Sequence, residues 1–420
     1  MGRIITAVAL FVFIDLIAFR GVFQLSESLD PFWRRFIRWG FWVVNVACYV
    51  GVFTLMSRWS KRFDSSSTTD YTLFNWAVGF FIVWGSTKLI FVIFHVLQSV
   101  FDGARWLVDY FRQQPDAESH EGMSRSQFFN QLGLGISAAW LGSLMYGVTR
   151  GKYDYRVIEH EIALPNLPKS FDGVKIVQIS DMHLGSFNGA FEDVQPGLDL
   201  IQKLQPDYIF FTGDLVNNFS DEAEPWIPML QALNAKEGKF SILGNHDYGD
   251  YAMRDQPARK AKHFERLVEI HGEMGFKLLR NEHVILNRGD ERVYLVGCEN
   301  WGLDFHQYGD LDAAMSGIPD DACAVLLSHD PTHWSEQVLK SKNQIALTFS
   351  GHTHGAQMGV ELPQFGIKWS PVSVRYRRWG GLYQEGEQFL HINRGFGFLA
   401  FPGRVGMSPE ITSIILRSKA

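Results

Sequence analysis

The chain has 420 residues, a length that allows two or three domains of ordinary size. Its formal net charge of -6 argues against a protein that coats nucleic acid through bulk positive charge. The three cysteines, Cys48, Cys298 and Cys323, are widely spaced and form no CxxC pair. This spacing excludes a disulfide scaffold and a thiolate zinc site.

Long uncharged runs before residue 150 predict a membrane region of about four transmembrane helices. Each run approaches the roughly 20 apolar residues that a bilayer requires. The predicted spans are residues 4–24, 37–56, 72–100 and 127–148. A signal peptide is the alternative for the first span, and residues 113–127 are predicted to form a polar loop. Basic residues divide evenly between the two sides, which leaves the side of the catalytic region open.

Three ionisable residues, Asp15, Lys88 and His95, fall at or near membrane depth. Such residues are candidates for a functional site by default. No other residue of these helices indicates catalysis. We therefore interpret the three as structural, with partners inside the helix bundle or at the membrane surface.

The rest of the chain predicts an α/β domain. Short runs rich in β-branched residues predict strands, and 3.6-residue periodicities between the first of them predict helices. The predicted strands are residues 175–180, 208–212, 240–243, 292–296, 324–328 and 345–349. Because strands and helices alternate at first and strands dominate later, we expect two packed sheets with helices outside.

Polar clusters follow five of these strands directly, where open α/β sheets bind their ligands. A single histidine at the end of a strand would more often be structural. Here Asp, Asn or His follows each of five strands, which indicates a metal site. Imidazole, carboxylate and amide groups without thiolate suit manganese, iron or zinc. The candidates outnumber the ligands of one tetrahedral ion and would suffice for two ions about 3.5–4 Å apart. The clusters are Asp181-Met182-His183, Gly213-Asp214, Gly244-Asn245-His246-Asp247, Ser328-His329-Asp330 and Gly351-His352-Thr353-His354.

The motifs DMH, GD, GNHD, a later lone histidine and GHTH, in this order, resemble those of the calcineurin-like metallophosphoesterase superfamily. The segment IEHEIALPNLP before the first of these strands, and the tail of the domain, look like the membrane-associated bacterial branch, which includes enzymes similar to UDP-2,3-diacylglucosamine hydrolases. The resemblance covers roughly residues 171–414. It implies a two-sheet β-sandwich flanked by helices.

The resemblance also implies the ligands of two divalent ions. The implied ligands are Asp181, His183 and His354 for the first ion, Asn245, His329 and His352 for the second, and Asp214 as the bridge between them. His246 would face the phosphoryl group and either protonate the leaving oxygen or stabilise charge on the transition state, and Asp247 would hold His246 in its working tautomer.

The function expected from these observations is that of a membrane-anchored dinuclear phosphoesterase. It would hydrolyse a phosphodiester or pyrophosphate bond by attack of a metal-bridging hydroxide, with a lipid-linked substrate as one option. The alternatives are a membrane receptor or scaffold that keeps the fold without turnover, and a nuclease on the same fold. The net charge disfavours a nucleic acid partner, and the sequence indicates no protein partner. The expected location is the bacterial inner membrane.

The expected domains are a membrane region at 1–149, a linker with a first strand at 150–170 and the catalytic domain at 171–418. Two later stretches mix aromatic and basic residues, one from Lys368 to Trp379 and one from Arg394 to Gly406. Such a mixture is typical of residues at a membrane interface, and we consider Phe398 and Phe401 candidates for lipid contact. Ordinary core and turn residues are the alternative.

Overall fold

The computed structural model describes residues 2–61, 68–112, 125–341 and 345–419. The chain forms two compact units, a helical one that ends at Tyr146 and an α/β one from Gly147 onward. The loop predicted for residues 113–127 lies outside the described residues up to 124, and its last three residues belong to a helix.

The part of the helical unit that the structure describes contains four long helices. These are α1 (Gly2–Ser26), α2 (Pro31–Lys61), α3 (Thr68–Arg112) and α4 (Arg125–Thr149). Within the described ranges, three segments are long and apolar enough to cross a membrane, at Pro31–Thr54, Thr72–Phe111 and Phe128–Tyr153. They correspond to the second, third and fourth predicted spans. The first predicted span coincides with α1, whose passage through a membrane stays a prediction.

The ionisable residues of the helical unit have partners inside the bundle. Lys88 on α3 forms an ion pair with Asp15 on α1, and its ammonium group also lies 3.0 Å from Oδ1 of Asn45. The hydroxyl of Tyr49 donates to the same aspartate at 2.6 Å. His95 lies 3.2 Å from the amide oxygen of Asn130. Asp15, Lys88 and His95 therefore have the partners inside the bundle that we expected, while their purely structural role stays a prediction.

The α/β unit contains fourteen strands among the described residues. They are β1 (Arg156–Leu164), β2 (Lys175–Ile179), β3 (Tyr208–Phe211), β4 (Gly238–Ser241), β5 (Lys277–Leu278), β6 (Glu282–Arg288), β7 (Glu291–Gly297), β8 (Ala324–Leu327), β9 (Ile345–Ser350), β10 (Val360–Leu362), β11 (Ile367–Trp369), β12 (Gly381–Glu385), β13 (Gln388–Ile392) and β14 (Glu410–Ser418). Its α-helices are α5 (Phe191–Lys203), α6 (Ile227–Gln231), α7 (Pro257–Glu273), α8 (Leu311–Met315) and α9 (Thr332–Glu336).

Twelve of these strands form two six-stranded sheets, and β10 pairs with β11 in a separate ribbon. The first sheet has the order β1-β14-β2-β3-β4-β5, and the second has the order β12-β13-β9-β8-β7-β6. The central strands β2, β3 and β4 run parallel in the first sheet, as do β7, β8, β9 and β13 in the second. The predicted two-sheet architecture is confirmed.

Side chains alternate between two sides of each sheet, as the period of a strand requires. In β3, Tyr208 and Phe210 pack in the core between the sheets, together with residues of the second sheet such as Leu327. Ile209 and Phe211 pack on the opposite face with residues of α5 and α7. Both faces of β3 are therefore buried, which explains its uninterrupted apolar sequence.

The interpretation of Phe398 and Phe401 as lipid-contacting residues is wrong. Both side chains are buried, and Phe398 belongs to the core cluster that also contains Phe187 and Phe396. The alternation of aromatics and glycines in this stretch reflects tight turns around the core. Aromatic composition alone does not distinguish such a turn from a membrane-facing loop.

Candidate metal centre

The predicted site residues follow the carboxyl ends of five strands. In the first sheet β2, β3 and β4 are neighbours and run parallel, so the turns that begin at Asp181, Asp214 and Asn245 meet at one edge. In the second sheet β8 and β9 are parallel neighbours, followed by His329 and His352. Parallel pairing thus brings residues from distant parts of the sequence to one place.

Five of the predicted ligands adopt left-handed backbone conformations that non-glycine residues rarely occupy. The φ angles are 52° at Asp181, 45° at His183, 58° at Asp214, 74° at His352 and 52° at His354. Each such residue costs roughly 1–3 kcal/mol, a cost that proteins tolerate mainly at functional sites. The strain indicates that the positions of these side chains matter more here than local stability.

The first group of donor atoms comes from Asp181, His183 and His354, all of them buried. Nε2 of His354 lies 3.3 Å from Oδ1 of Asp181 and 3.1 Å from Nε2 of His183. Two imidazole nitrogens at this separation leave no room for a large ligand between them. A small cation that both nitrogens coordinate would account for the arrangement.

The second group comes from Asp214, His329 and His352. Nδ1 of His352 lies 3.3 Å from Nε2 of His329, whose Nδ1 donates to the carbonyl oxygen of Thr212 at 2.7 Å. A histidine that donates one ring N–H to a carbonyl is oriented as a metal-ligating histidine usually is.

Asp214 lies between the two groups. Its Oδ2 is 3.5 Å from Nε2 of His183 in the first group and 3.2 Å from Nε2 of His329 in the second. Its Oδ1 accepts the backbone N–H of His246 at 2.9 Å. One carboxylate therefore faces the donor atoms of both groups, as a ligand shared by two ions must.

Asn245 supplies a further free acceptor. Its Oδ1 is buried and accepts no hydrogen bond, while its Nδ2 donates to the hydroxyl of Tyr251 at 2.8 Å. A buried polar oxygen without a partner is costly unless another group binds it. Because the amide nitrogen is already engaged, the oxygen is the atom available to a cation. The donor set of Asn245 and the two groups thus fits two divalent ions.

Two motif glycines are needed because other atoms occupy the space of a side chain. A Cβ at Gly244 would overlap the carboxylate of Asp214, and one at Gly351 would overlap Ser180 and the carboxylate of Asp181. Alanine at either position would displace a predicted ligand. The glycines of the GNHD and GHTH motifs are therefore explained by close approach.

Burial keeps two of the histidines neutral. Desolvation lowers the pKa of His183 to about 3 and that of His352 to about 4. Only the neutral imidazole has a lone pair to offer a metal ion. These side chains are therefore ready for coordination at physiological pH without first losing a proton.

The predicted partner of His246 is wrong. Nδ1 of His246 donates to the carbonyl oxygen of Asn217 at 2.7 Å, so a backbone group sets its tautomer. The carboxylate of Asp247 instead accepts backbone N–H groups of Gly244, Asp214 and neighbouring residues. Asp247 fixes the two turns that carry the predicted ligands, because the two oxygens of a carboxylate can accept hydrogen bonds from several N–H groups at once.

Sequence reasoning missed two residues behind His352. The hydroxyl of Tyr376 lies 2.8 Å from its Nε2, and Oδ2 of Asp330 lies 3.4 Å from the same atom. Tyr376 belongs to a stretch that the sequence assigned to a membrane interface, yet its side chain is buried. Asp330 follows His329 directly and was visible as part of a strand-end cluster. No sequence signal distinguished Tyr376 from its exposed neighbours.

Comparison with known proteins agrees with this geometry. The family model of the calcineurin-like phosphoesterases matches residues 174–356, and that of the transmembrane domain of probable calcineurin-like phosphoesterases matches residues 2–152. An uncharacterised metallophosphoesterase of Bacillus subtilis, YkuE, is 33% identical over 70% of this chain and 98% of its own length. The chain belongs to the calcineurin-like phosphoesterases. It is a membrane-associated member of that family, as its apolar helices and the transmembrane family model indicate.

Two further relatives of this phosphoesterase are more distant. The UDP-2,3-diacylglucosamine pyrophosphatase LpxG of Chlamydia muridarum is 29% identical over 55% of this chain and 81% of its own length. A transmembrane protein with a metallophosphoesterase domain from Danio rerio is 27% identical over 65% of this chain and 60% of its own length. The matches therefore extend to both bacterial and animal proteins.

Proposed function

We propose that this phosphoesterase hydrolyses a phosphodiester or pyrophosphate bond of a lipid-linked substrate with two divalent ions of manganese, iron or zinc. We further propose that it is a multi-pass protein of the bacterial inner membrane. The family supports phosphoester hydrolysis, and the bacterial relatives support the location.

The observation that carries this proposal is the position of the Asp214 carboxylate between two groups of donors. A mononuclear site would have no use for the second set of histidines. In the proposed arrangement, two bound ions would activate a water molecule and neutralise charge on the phosphoryl oxygens. The remaining steps depend on the protein's own side chains.

His246 is the proposed general acid. Its Nδ1–H is engaged by the carbonyl of Asn217, so Nε2 is the atom that exchanges a proton with the substrate. Protonated there, it would give its proton to the leaving oxygen as the phosphorus–oxygen bond breaks. Its ring lies beside that of His183, with the centroids 5.0 Å apart, and therefore borders the first ligand group. Asn245 and the imidazoles would hold the ions in place.

The lipid-linked substrate rests on two supporting observations. A relative is named as a pyrophosphatase of UDP-2,3-diacylglucosamine, a substrate with acyl chains and a pyrophosphate bond. The transmembrane helices also tether the domain to a bilayer, which a freely diffusing nucleotide substrate would not require.

The test is an assay of the full-length protein in detergent micelles with a panel of lipid-linked pyrophosphates, nucleotide diesters and a small aryl phosphodiester. We expect chelator to abolish turnover and one added ion among manganese, iron and zinc to restore it. The lipid-linked pyrophosphate should show the highest kcat/KM. Absence of metal-dependent turnover on the entire panel would favour the receptor or scaffold, and preference for oligonucleotides would favour a nuclease.

A further inference from the structure

The β10–β11 ribbon has an unusual division of its side chains. Val360 pairs with Trp369, and Leu362 pairs with Ile367. Residues directly opposite each other in an antiparallel pair lie on the same face of the ribbon. These four apolar residues therefore share one face. The middle pair, Glu361 with Lys368, lies on the other.

The polar face of the ribbon is held by the α/β unit. Glu361 accepts a hydrogen bond from the guanidinium group of Arg394 at 2.6 Å. Lys368 donates to the carbonyl oxygen of Gly380, and its ammonium group lies 4.9 Å from the ring centroid of Trp379. The charged residues are thus directed toward the α/β unit. A hairpin that covers a core has the opposite arrangement, with its apolar face inward.

The apolar face is exposed. Trp369 retains 54% of its accessible surface, and Phe365 at the tip of the ribbon retains 71%. Val374, a few residues farther along the chain, retains 90%. Contiguous exposed apolar residues on a water-soluble surface usually mark a site of interaction. Because the polar face already has its partners, turning the ribbon over would break ion pairs and hydrogen bonds.

We propose that the β10–β11 ribbon inserts its apolar face into the surface of a lipid bilayer. Tryptophan and phenylalanine are suited to the region of the lipid headgroups. Two basic residues, Arg375 and Arg377, lie close after the ribbon and would attract anionic lipids, although Arg375 also pairs with Asp304 at 2.8 Å. The same chain carries transmembrane helices, so a bilayer is always near.

A protein partner fits this surface less well. Stable protein interfaces involve roughly 20–30 residues on each side. The exposed apolar residues of the ribbon and its surroundings are far fewer, namely Val360, Leu362, Phe365, Ile367, Trp369 and Val374. Insertion into a membrane interface requires only a few apolar side chains beside basic ones.

The ribbon also leads to the candidate metal centre. Ser370, directly after β11, donates its hydroxyl to the carbonyl oxygen of Gly355 at 2.7 Å, next to His354. Farther on, Tyr376 contacts His352. The ribbon would therefore present a lipid headgroup to the site that these contacts border. This last step rests on the proposed function, whereas insertion of the ribbon does not.

The test uses the full-length protein in nanodiscs of anionic lipid. The variant Phe365→Cys is labelled with an environment-sensitive fluorophore, since the three native cysteines are buried. Asp290→Cys, in the exposed turn between β6 and β7, is the matched control at another hairpin tip. A second label at Val374→Cys guards against an artefact of one position. No turnover is measured, so the outcome is independent of the proposed function.

We expect the labels at positions 365 and 374 to shift to shorter emission wavelengths and to be quenched by lipids that carry a spin label near the headgroup. The label at 290 should show neither effect. Spin labels deep in the acyl chains should quench less, because interfacial elements enter only about 5–10 Å. Equal, weak quenching at all three positions would overturn the proposal. Disulfide cross-linking between two unlabelled Phe365→Cys chains without lipid quenching would also overturn it, in favour of a second copy.

Discussion

The hydroxyl of Tyr376 and Nε2 of His352 are 2.8 Å apart, while Nδ1 of the same imidazole lies 3.3 Å from Nε2 of His329. Each ring nitrogen thus has its own neighbour, and the tyrosine fixes which nitrogen faces the second ligand group. Outer partners of this kind orient a ligating histidine and raise its affinity for metal.

Replacement of Tyr376 by phenylalanine should therefore weaken binding of one of the two ions by about 10–100-fold. Activity should return when excess metal is added, because the ligands themselves remain. Metal titration followed by the hydrolysis rate measures the effect. Tyr208→Phe is the control, since Tyr208 lies on β3 outside the site and its hydroxyl contacts Glu237. Equal metal affinity in both variants would contradict the role of Tyr376.

Asp214→Asn should nearly abolish activity. The carboxylate faces donors of both groups at 3.5 and 3.2 Å, and a neutral amide would neither balance the charge of two ions nor bridge them as well. We expect a loss larger than the roughly 10–100-fold caused by removal of an outer partner, together with the loss of at least one ion by elemental analysis. A variant that keeps both ions and most of its rate would exclude a bridging role.

His246→Ala should lower kcat by about 10²–10⁴-fold, the usual contribution of general acid catalysis. The metal content should stay near normal, because the ring is engaged by Asn217 and not by the donor groups. The loss should shrink for a nitrophenyl ester, whose leaving group needs no proton. Release of both ions from this variant would instead identify His246 as a ligand.

His271 predicts a pH dependence of stability that does not involve the metal centre. It lies on α7, buried, and neither ring nitrogen has a hydrogen-bond partner. Desolvation lowers its pKa to about 3 from the usual value of 6.5. Below pH 6.5 the unfolded chain binds a proton that the folded chain refuses, so stability falls as the pH decreases toward 3.

At pH 5 the buried neutral imidazole lowers the free energy of unfolding by about 2 kcal/mol. His271→Leu should remove this loss. Thermal unfolding in detergent at pH 5 and pH 8 measures the effect. We expect the difference in unfolding temperature between variant and wild type to be more favourable to the variant at pH 5 than at pH 8. A difference between the two proteins that is the same at both pH values would show that His271 is not kept neutral by burial.

The ion pair of the helical unit predicts a non-additive effect. Asp15→Asn or Lys88→Met alone leaves a buried charge without its partner, which typically costs about 3–5 kcal/mol. The double variant removes both charges and should be more stable than either single one. Thermal unfolding of the three variants in detergent gives the coupling free energy. Simple additivity would mean that the two groups do not depend on each other.

Much of the candidate site was predictable because its residues directly follow strands with clear apolar patterns. Asp181, Asp214 and His329 each come within three residues of such a strand, and parallel pairing brings these positions together. The local pattern therefore implied the long-range contact. The five left-handed residues were not predictable, since the sequence shows no glycine or asparagine there to signal a positive φ angle.

The remaining parts depend on contacts that leave no local mark in the sequence. The partner of His246 is a backbone carbonyl, which every residue possesses. Tyr376 and Trp369 occur in the same mixed stretch, yet the first is buried against His352 and the second is exposed. Phe398 was mistaken for a surface residue because the sequence does not reveal which chain segment covers it. Tertiary packing decides all three cases.

The position of β14 in the first sheet makes β2 depend on the last of the fourteen described strands. Residues 412–415 of β14 pair with β2, and the chain just before them reaches the β2 turn through hydrogen bonds from Phe396 to Ser180 and from Gly397 to Asp181. During synthesis, β2 and its other neighbour β3 therefore leave the ribosome long before β14 exists. Contacts of such long range form slowly. The nascent chain would hold its first metal ligands on an open strand edge, and hydrolysis would begin only after synthesis has passed residue 415.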